Sequence, residues 1–134
     1  MDSVEQWWTR VEEKRQAAAI LKGDKKAARE AWNLVGEAVE FALKAVIMKR
    51  QRFNRWPDRN TRPELHSHNL RDLIEFAGIE VRAKPLPLRA NFKVVCDWNR
   101  GHDYTVNRMP RKVAEDMFNS AFGEEGVVTW LKKL

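Results

Sequence analysis

The chain has 134 residues, of which 43% are hydrophobic and 33% charged, and its formal net charge is +6. These values predict one globular domain, residues 1–134, and they exclude a disordered chain. No run of apolar residues approaches the roughly 18 that a helix needs to span a membrane. The N-terminus has no apolar stretch typical of a signal peptide, and the single Cys96 excludes an internal disulfide. We therefore expect a cytoplasmic protein. Cys96 lies in an apolar run, so we expect its thiol to be buried and unreactive.

The first helix is predicted to start at Val4, because Ser3 and Gln6 match a capping box. Gly23 is expected to end this helix. Trp7 and Trp8 point about 100° apart on such a helix. They are therefore either two core anchors, or one of them faces a partner subunit.

The second helix is predicted over Lys25–Arg52, the longest uninterrupted helical pattern in the chain. Its second half is apolar on every side, which is typical of a helix surrounded by others. Glu40 and Lys44 interrupt this apolar surface and share one face. We expect the central helix of a bundle, whose polar pair is either a local ion pair or the floor of a site.

The rest of the chain predicts shorter helices separated by loops. Residues 53–62 form a loop, and a third helix begins between Arg62 and His68, where Thr61, Glu64 and Ser67 are capping residues, and ends at Gly78. Pro85 and Pro87 predict a loop over residues 79–87, and a fourth helix follows over residues 88–98.

The C-terminal part begins with a polar loop over residues 99–107. A last helix starts at Pro110, and Gly123 and Gly126 leave open whether it is split in two. For residues 88–98 we favour helix over strand because nothing else in the sequence offers a partner strand. The predicted fold is all-α, an up-and-down helical bundle of four long helices plus a shorter fifth.

The positive charge is concentrated in two regions. Residues 49–62 are rich in lysine and arginine and contain one acid, Asp58. The second region is more spread out and consists of Arg82, Lys84, Arg89, Lys93, Arg100, Arg108, Arg111 and Lys112. Such surfaces either bind polyanions through counterion release or serve solubility alone, and both interpretations stay open.

Several classes of enzyme lack their motifs in this sequence. It contains no HExxH, CxxC, GxGxxG, P-loop or GxSxG pattern, so zinc proteases, zinc fingers, Rossmann and P-loop proteins and acyl hydrolases have no support. His66 and His68 form an HxH pair without an obvious third ligand. We expect neither a metal nor a cofactor.

What remains is a set of cations, imidazoles and aromatic residues near two loops. If the second-to-third and fourth-to-fifth connections lie at the same end of the bundle, these side chains converge and suit phosphodiester chemistry. A histidine can then exchange the proton of an RNA 2′-hydroxyl, and an arginine can stabilise charge on the phosphate. The residues are Arg59, Arg62, His66, His68 and Arg71 around the third helix start, and Trp98, Arg100, His102 and Tyr104 after the fourth helix.

Three stretches resemble the HEPN domains, the higher eukaryotes and prokaryotes nucleotide-binding family. AWNLVGEAVEFALKAVI is similar to the central helix of that family, with Glu40 and Lys44 at its polar positions. HSHNLRDLIEFAGI is similar to its "gHdLxxLl" segment, and DWNRGHDYTVNRMPRKVAEDMFNSAF followed by VVTWLKKL is similar to its C-terminal helices. Together these stretches cover most of residues 25–134.

The resemblance implies an α-helical bundle, usually a homodimer, and many HEPN members are metal-independent RNases of toxin–antitoxin or antiphage defence systems. Their motif is an arginine, four to six residues and then a histidine. Arg59 with His66 and Arg62 with His68 match this spacing, whereas Arg100 and His102 lie nearer the usual position of the motif but closer together.

The resemblance therefore implies two sets of site residues. The catalytic set is His68 or His102 as general acid or base, with Arg62 or Arg100 on the phosphate. The set that binds RNA or a nucleotide comprises Arg59, His66, Arg71, Tyr104, Glu40 and Lys44.

Two alternatives stay open. One is a non-catalytic HEPN module that binds a nucleotide or a partner protein such as a nucleotidyltransferase, a toxin or a cognate antitoxin, in which His66 and His68 only form hydrogen bonds at the helix start. The other is a structural dimerisation domain with Trp7, Trp8 and Trp130 at its interface.

Overall fold

The computed structural model describes residues 3–98 and 108–134, and all regular secondary structure in them is helical. Residues 63–66 and 81–83 form two short 3-10 helices. The α-helices are α1 (Val4–Leu21), α2 (Ala28–Arg50), α3 (Leu70–Phe76), α4 (Leu86–Cys96), α5 (Arg111–Phe122) and α6 (Val127–Leu131).

Helix α1 begins with the predicted capping box. The Ser3 hydroxyl accepts from the Gln6 amide at 3.1 Å, and the Gln6 side chain accepts from the Ser3 amide at 3.0 Å. Trp7 lies in the core, and Trp8 is partly buried against it. The helix ends at Leu21, just before the predicted Gly23.

Helix α2 is the centre of the fold, as its pattern predicted. Every residue from Ala38 to Met48 is buried, and the helix packs against α1, α3, α5 and α6. It starts at Ala28 and not at Lys25, because Asp24 closes a turn by accepting from the Lys26 amide at 2.8 Å, and no side chain caps the helix itself.

The third helix is shorter than predicted. The segment after Arg62 forms the 3-10 helix Pro63–His66, and α3 begins only at Leu70, capped by the side chain of Asn69. Ser67 is not the cap, since its hydroxyl accepts from the Asn69 amide at 2.9 Å. Gly78 follows the helix with φ +72°, a conformation that favours glycine.

Helix α4 confirms the preference for helix over strand, and it starts at Leu86 with Pro87 in its first turn. Trp98, two residues beyond the end of α4, is buried. Its indole Nε1–H donates to Oδ1 of Asn33 on α2 at 3.1 Å, and its ring lies directly against Gly36, where an added Cβ would be 2.1 Å from the indole. The chain therefore returns to the face of α2 that also bears Glu40, one helical turn away.

The C-terminal pattern is split in two, which the sequence left open. Helix α5 ends at Phe122, and α6 begins at Val127. The segment between them is close-packed, because a Cβ on Gly126 would lie 2.5 Å from the Ala121 carbonyl oxygen. Both helices pack on α2 and on α4.

The prediction of an all-α fold is confirmed for the described residues, whereas the up-and-down order of the helices stays a prediction. No helix among these residues has the length and apolar character needed to cross a membrane.

Candidate functional site

Glu40 and Lys44 form a buried ion pair in the middle of α2. The Lys44 ammonium lies 3.1 Å from Oε2 of Glu40, and the two side chains are 7% and 1% exposed. A buried charge is costly unless it is paired and hydrogen-bonded. A pair this deep therefore needs the further partners that neighbouring elements provide.

His68 is the first of these partners. Its Nδ1 lies 3.0 Å from Oε1 and 3.1 Å from Oε2 of Glu40. Because a carboxylate only accepts hydrogen bonds, Nδ1 must hold the proton, and in the neutral ring the lone pair is then on Nε2. The His68 side chain is 49% exposed, so a buried acid orients an imidazole that reaches solvent.

The second partners are aromatic. The Lys44 ammonium lies 5.6 Å from the ring centroid of Trp7 and 5.6 Å from that of Trp56. The two indoles pack edge to face with their centroids 5.5 Å apart. The ammonium thus contacts a carboxylate and two aromatic rings, which compensate for its removal from water.

The loop before α3 is fixed by hydrogen bonds of its own. The backbone N–H and hydroxyl of Thr61 donate to Oδ1 of Asp58 at 2.8 and 2.9 Å, and these bonds lower the pKa of Asp58. Nε2 of His66 donates to the Pro57 carbonyl at 2.7 Å, and its ring lies edge to face with Trp56, with centroids 6.4 Å apart. His66 is therefore part of the support around Trp56, and its Nε2 is already bonded.

The arginines near this site differ in their partners. Arg62 pairs with Glu64 and lies over the ring of Phe53, and its hydrogen bond lowers the pKa of Glu64. Arg59 is exposed in the loop, and Arg71 is exposed in the first turn of α3.

Of the predicted site residues, the structure thus brings three together: Glu40, Lys44 and His68. His66 is linked to this group through Trp56, whereas Arg62 has its own partners. Arg100, His102 and Tyr104 lie outside the described residues, so their role stays a prediction from the sequence.

No metal centre is evident in residues 3–98 and 108–134, since they contain no group of three or more His, Cys, Asp or Glu side chains arranged to hold an ion. What the arrangement can do chemically is proton transfer at Nε2 of His68. A carboxylate that fixes the tautomer and orientation of a histidine is a common feature of general acid–base sites.

Sequence reasoning did not identify the role of Trp56. The residue lies in the basic loop just before Pro57, and nothing in its local pattern indicates contact with a helix that ends several residues earlier. Trp7 was expected in the core, but its contact with Lys44 depends on how α1 packs along α2. The only available signal was the lysine itself, because a buried ammonium requires neighbours that compensate its charge.

We also compared the chain with known proteins. Searches against protein-family models, curated proteins and solved structures found no match.

Proposed function

We propose that this chain is a HEPN-like protein that interacts with RNA or a nucleotide and cleaves RNA without a metal, with His68 as the general acid or base. In this proposal it is a cytoplasmic homodimer with an up-and-down bundle, in which α1, α2, α4 and α5 are the four long helices and both α3 and α6 are shorter. The observation that supports it best is the bond between the buried Glu40 carboxylate and Nδ1 of the half-exposed His68.

The proposed step is an internal transfer within the RNA. Nε2 of a neutral histidine removes the proton of a 2′-hydroxyl, and the oxygen attacks the adjacent phosphorus. The bond from phosphorus to the 5′-oxygen breaks, and that oxygen takes a proton from a second acid. The products are a 2′,3′-cyclic phosphate and a free 5′-hydroxyl. The step therefore needs neither water as a reactant nor a metal ion.

Two further roles come from the sequence. His102 is the proposed second proton donor or acceptor, and Arg62 or Arg100 is the proposed phosphate ligand. Arg59 and Arg71 are exposed near the third helix, where they can contact the RNA backbone.

The alternative is a non-catalytic module that binds a nucleotide or a partner protein, such as a nucleotidyltransferase, a toxin or an antitoxin. A specific observation favours it. Arg62 is paired with Glu64, and His66 is bonded to Pro57. One member of each arginine–histidine pair therefore already has another partner within the protein. A toxin–antitoxin or defence setting rests on the family resemblance alone.

RNA cleavage by the purified protein tests the proposal. Labelled single-stranded RNA is incubated with EDTA and with wild type, His68→Ala, His102→Ala or His66→Ala. We expect EDTA-resistant cleavage to 2′,3′-cyclic phosphate ends, reduced about 10²- to 10⁴-fold in His68→Ala and His102→Ala. His66→Ala should keep most activity, because its ring only supports the loop.

Binding of the same RNA, measured by fluorescence anisotropy, separates the two functions. Uncut RNA that binds with equal affinity to wild type and His68→Ala would favour the binding module. Cleavage that EDTA abolishes would overturn metal-independent chemistry.

A further inference from the structure

A groove lies between α3, the 3-10 helix Val81–Ala83 and α4, away from Glu40 and Lys44. Its volume is about 520 Å³, which is within the usual range for binding sites. Its apolar lining consists of Ile74, Val81, Leu86, Ala90, Phe92 and Cys96.

The apolar lining continues onto the surface at one rim. Leu86 is 68% exposed, which is unusual for a leucine beside an apolar groove and is typical of an interaction surface. Phe92, the only aromatic residue in the lining, is 1% exposed. It therefore offers no free ring face on which a nucleobase could stack.

Four cations surround this apolar floor on more than one side. Arg71 belongs to α3, Arg82 to the 3-10 helix, and Arg89 and Lys93 to neighbouring turns of α4. The lining contains no acid. In the part of the chain that the structure describes, no ion pair joins any of the four to a carboxylate.

We propose that this groove binds an acidic amphipathic helix of a partner protein. Aliphatic side chains at positions i, i+3, i+4 and i+7 of that helix would enter the groove, and flanking Asp or Glu residues would meet the cations on both walls. This inference does not depend on the His68 site.

The distribution of charge argues for this occupant over two others. A fatty acid or a similar amphiphile has a single anionic end and would leave cations on the opposite wall unpaired. A second copy of this chain, docked symmetrically, would place the same four cations against each other, which is unfavourable.

A labelled synthetic peptide tests the groove directly. The probe is a helix of about 18 residues with leucines in that spacing and glutamates beside them. The controls are a scrambled peptide of the same composition and a version with lysine for each glutamate. We expect the acidic peptide to bind by fluorescence anisotropy and both controls to fail.

Variants of the full chain locate the binding. Arg82→Glu with Lys93→Glu should weaken the acidic peptide about tenfold or more, and the preference for the acidic peptide over the lysine peptide should largely disappear, because Arg71 and Arg89 are then balanced by two acids. Lys25→Glu with Lys26→Glu makes the same change in net charge outside the groove and should bind like wild type. His68→Ala should also bind like wild type, so the outcome is separable from RNA cleavage.

Three results would overturn the inference. The first is that the acidic peptide does not bind, or binds no better than its scrambled control. The second is that RNA loses more affinity than the acidic peptide does in Arg82→Glu with Lys93→Glu, which would assign the groove to RNA. The third is that Arg82→Glu with Lys93→Glu changes the oligomeric state on gel filtration, which would assign the groove to a second copy of the chain.

Discussion

Glu40 and His68 are 28 positions apart in the chain, yet Nδ1 of His68 lies 3.0 and 3.1 Å from the two carboxylate oxygens of Glu40. Glu40 belongs to the most buried helix, whereas His68 lies in the short connection before α3. The orientation of an exposed imidazole is therefore determined by the core of the protein. The Glu40–Lys44 ion pair is local to one helix, and it also supports the imidazole of His68 from the core.

The substitution Glu40→Gln tests whether the carboxylate positions His68. If His68 transfers protons in RNA cleavage, we expect a smaller loss of rate than in His68→Ala, about ten- to a hundredfold. The loss should appear in the rate of cleavage and not in the affinity for RNA, because the buried carboxylate contacts the imidazole.

Glu37→Gln is the matched control on the same helix. Glu37 pairs with Lys14 at 3.3 Å, and both side chains are 24% exposed. This substitution should leave both the rate and the affinity for RNA unchanged. A cleavage rate for Glu40→Gln that equals the wild-type rate would contradict a positioning role, even if the protein is less stable.

The buried ion pair leads to a prediction about stability. Lys44→Met removes the ammonium but leaves the Glu40 carboxylate buried, so we expect a loss of about 3–5 kcal/mol in the free energy of unfolding. Glu40→Met with Lys44→Met removes both charges and should be considerably less destabilised than the single variant. Chemical denaturation of these two variants and of the single variant Glu40→Met measures the difference. A double variant that loses the sum of the two single effects would show that the charges do not depend on each other.

The sequence predicted the helices well where their signals are local. The Ser3 capping box and the apolar surface of α2 come from neighbouring residues, and both are confirmed. The start of α3 was harder to predict because Thr61, Ser67 and Asn69 can all cap a helix, and tertiary contacts decide which one does. The junction of Lys44 with Trp7 and Trp56 was not predictable, since three separate segments meet there.

Gly36 provides a test of how the end of α4 docks on α2. An added Cβ would lie 2.1 Å from the Trp98 indole, so Gly36→Ala must displace a buried ring. We expect a loss of about 1–3 kcal/mol in the free energy of unfolding. Gly23→Ala is the control, because a Cβ there meets nothing within 4 Å, and it should be neutral or slightly stabilising. Equal stability of the two variants would contradict the close contact of Trp98 with α2.

Cys96 reports on the environment of the groove from one of its walls. Burial raises the pKa of its thiol, and Arg71 opposes that shift by stabilising the thiolate. The thiolate is the reactive form. Alkylation by iodoacetamide near pH 8 should therefore be slower in the folded protein than in the chain unfolded in denaturant, and slower still in Arg71→Gln.

The raised pKa also determines how stability depends on pH. The folded state keeps the Cys96 proton to a higher pH than the unfolded state, so this group lowers the free energy of unfolding as pH rises through the ordinary cysteine range. Cys96→Ser lacks this titration. We expect the difference in unfolding free energy between wild type and Cys96→Ser to shift in favour of the serine variant on going from neutral to alkaline pH. Cys96 is partly buried and not fully buried as the sequence predicted. A difference that stays constant, together with equal alkylation rates in the folded and unfolded chains, would contradict even this partial burial.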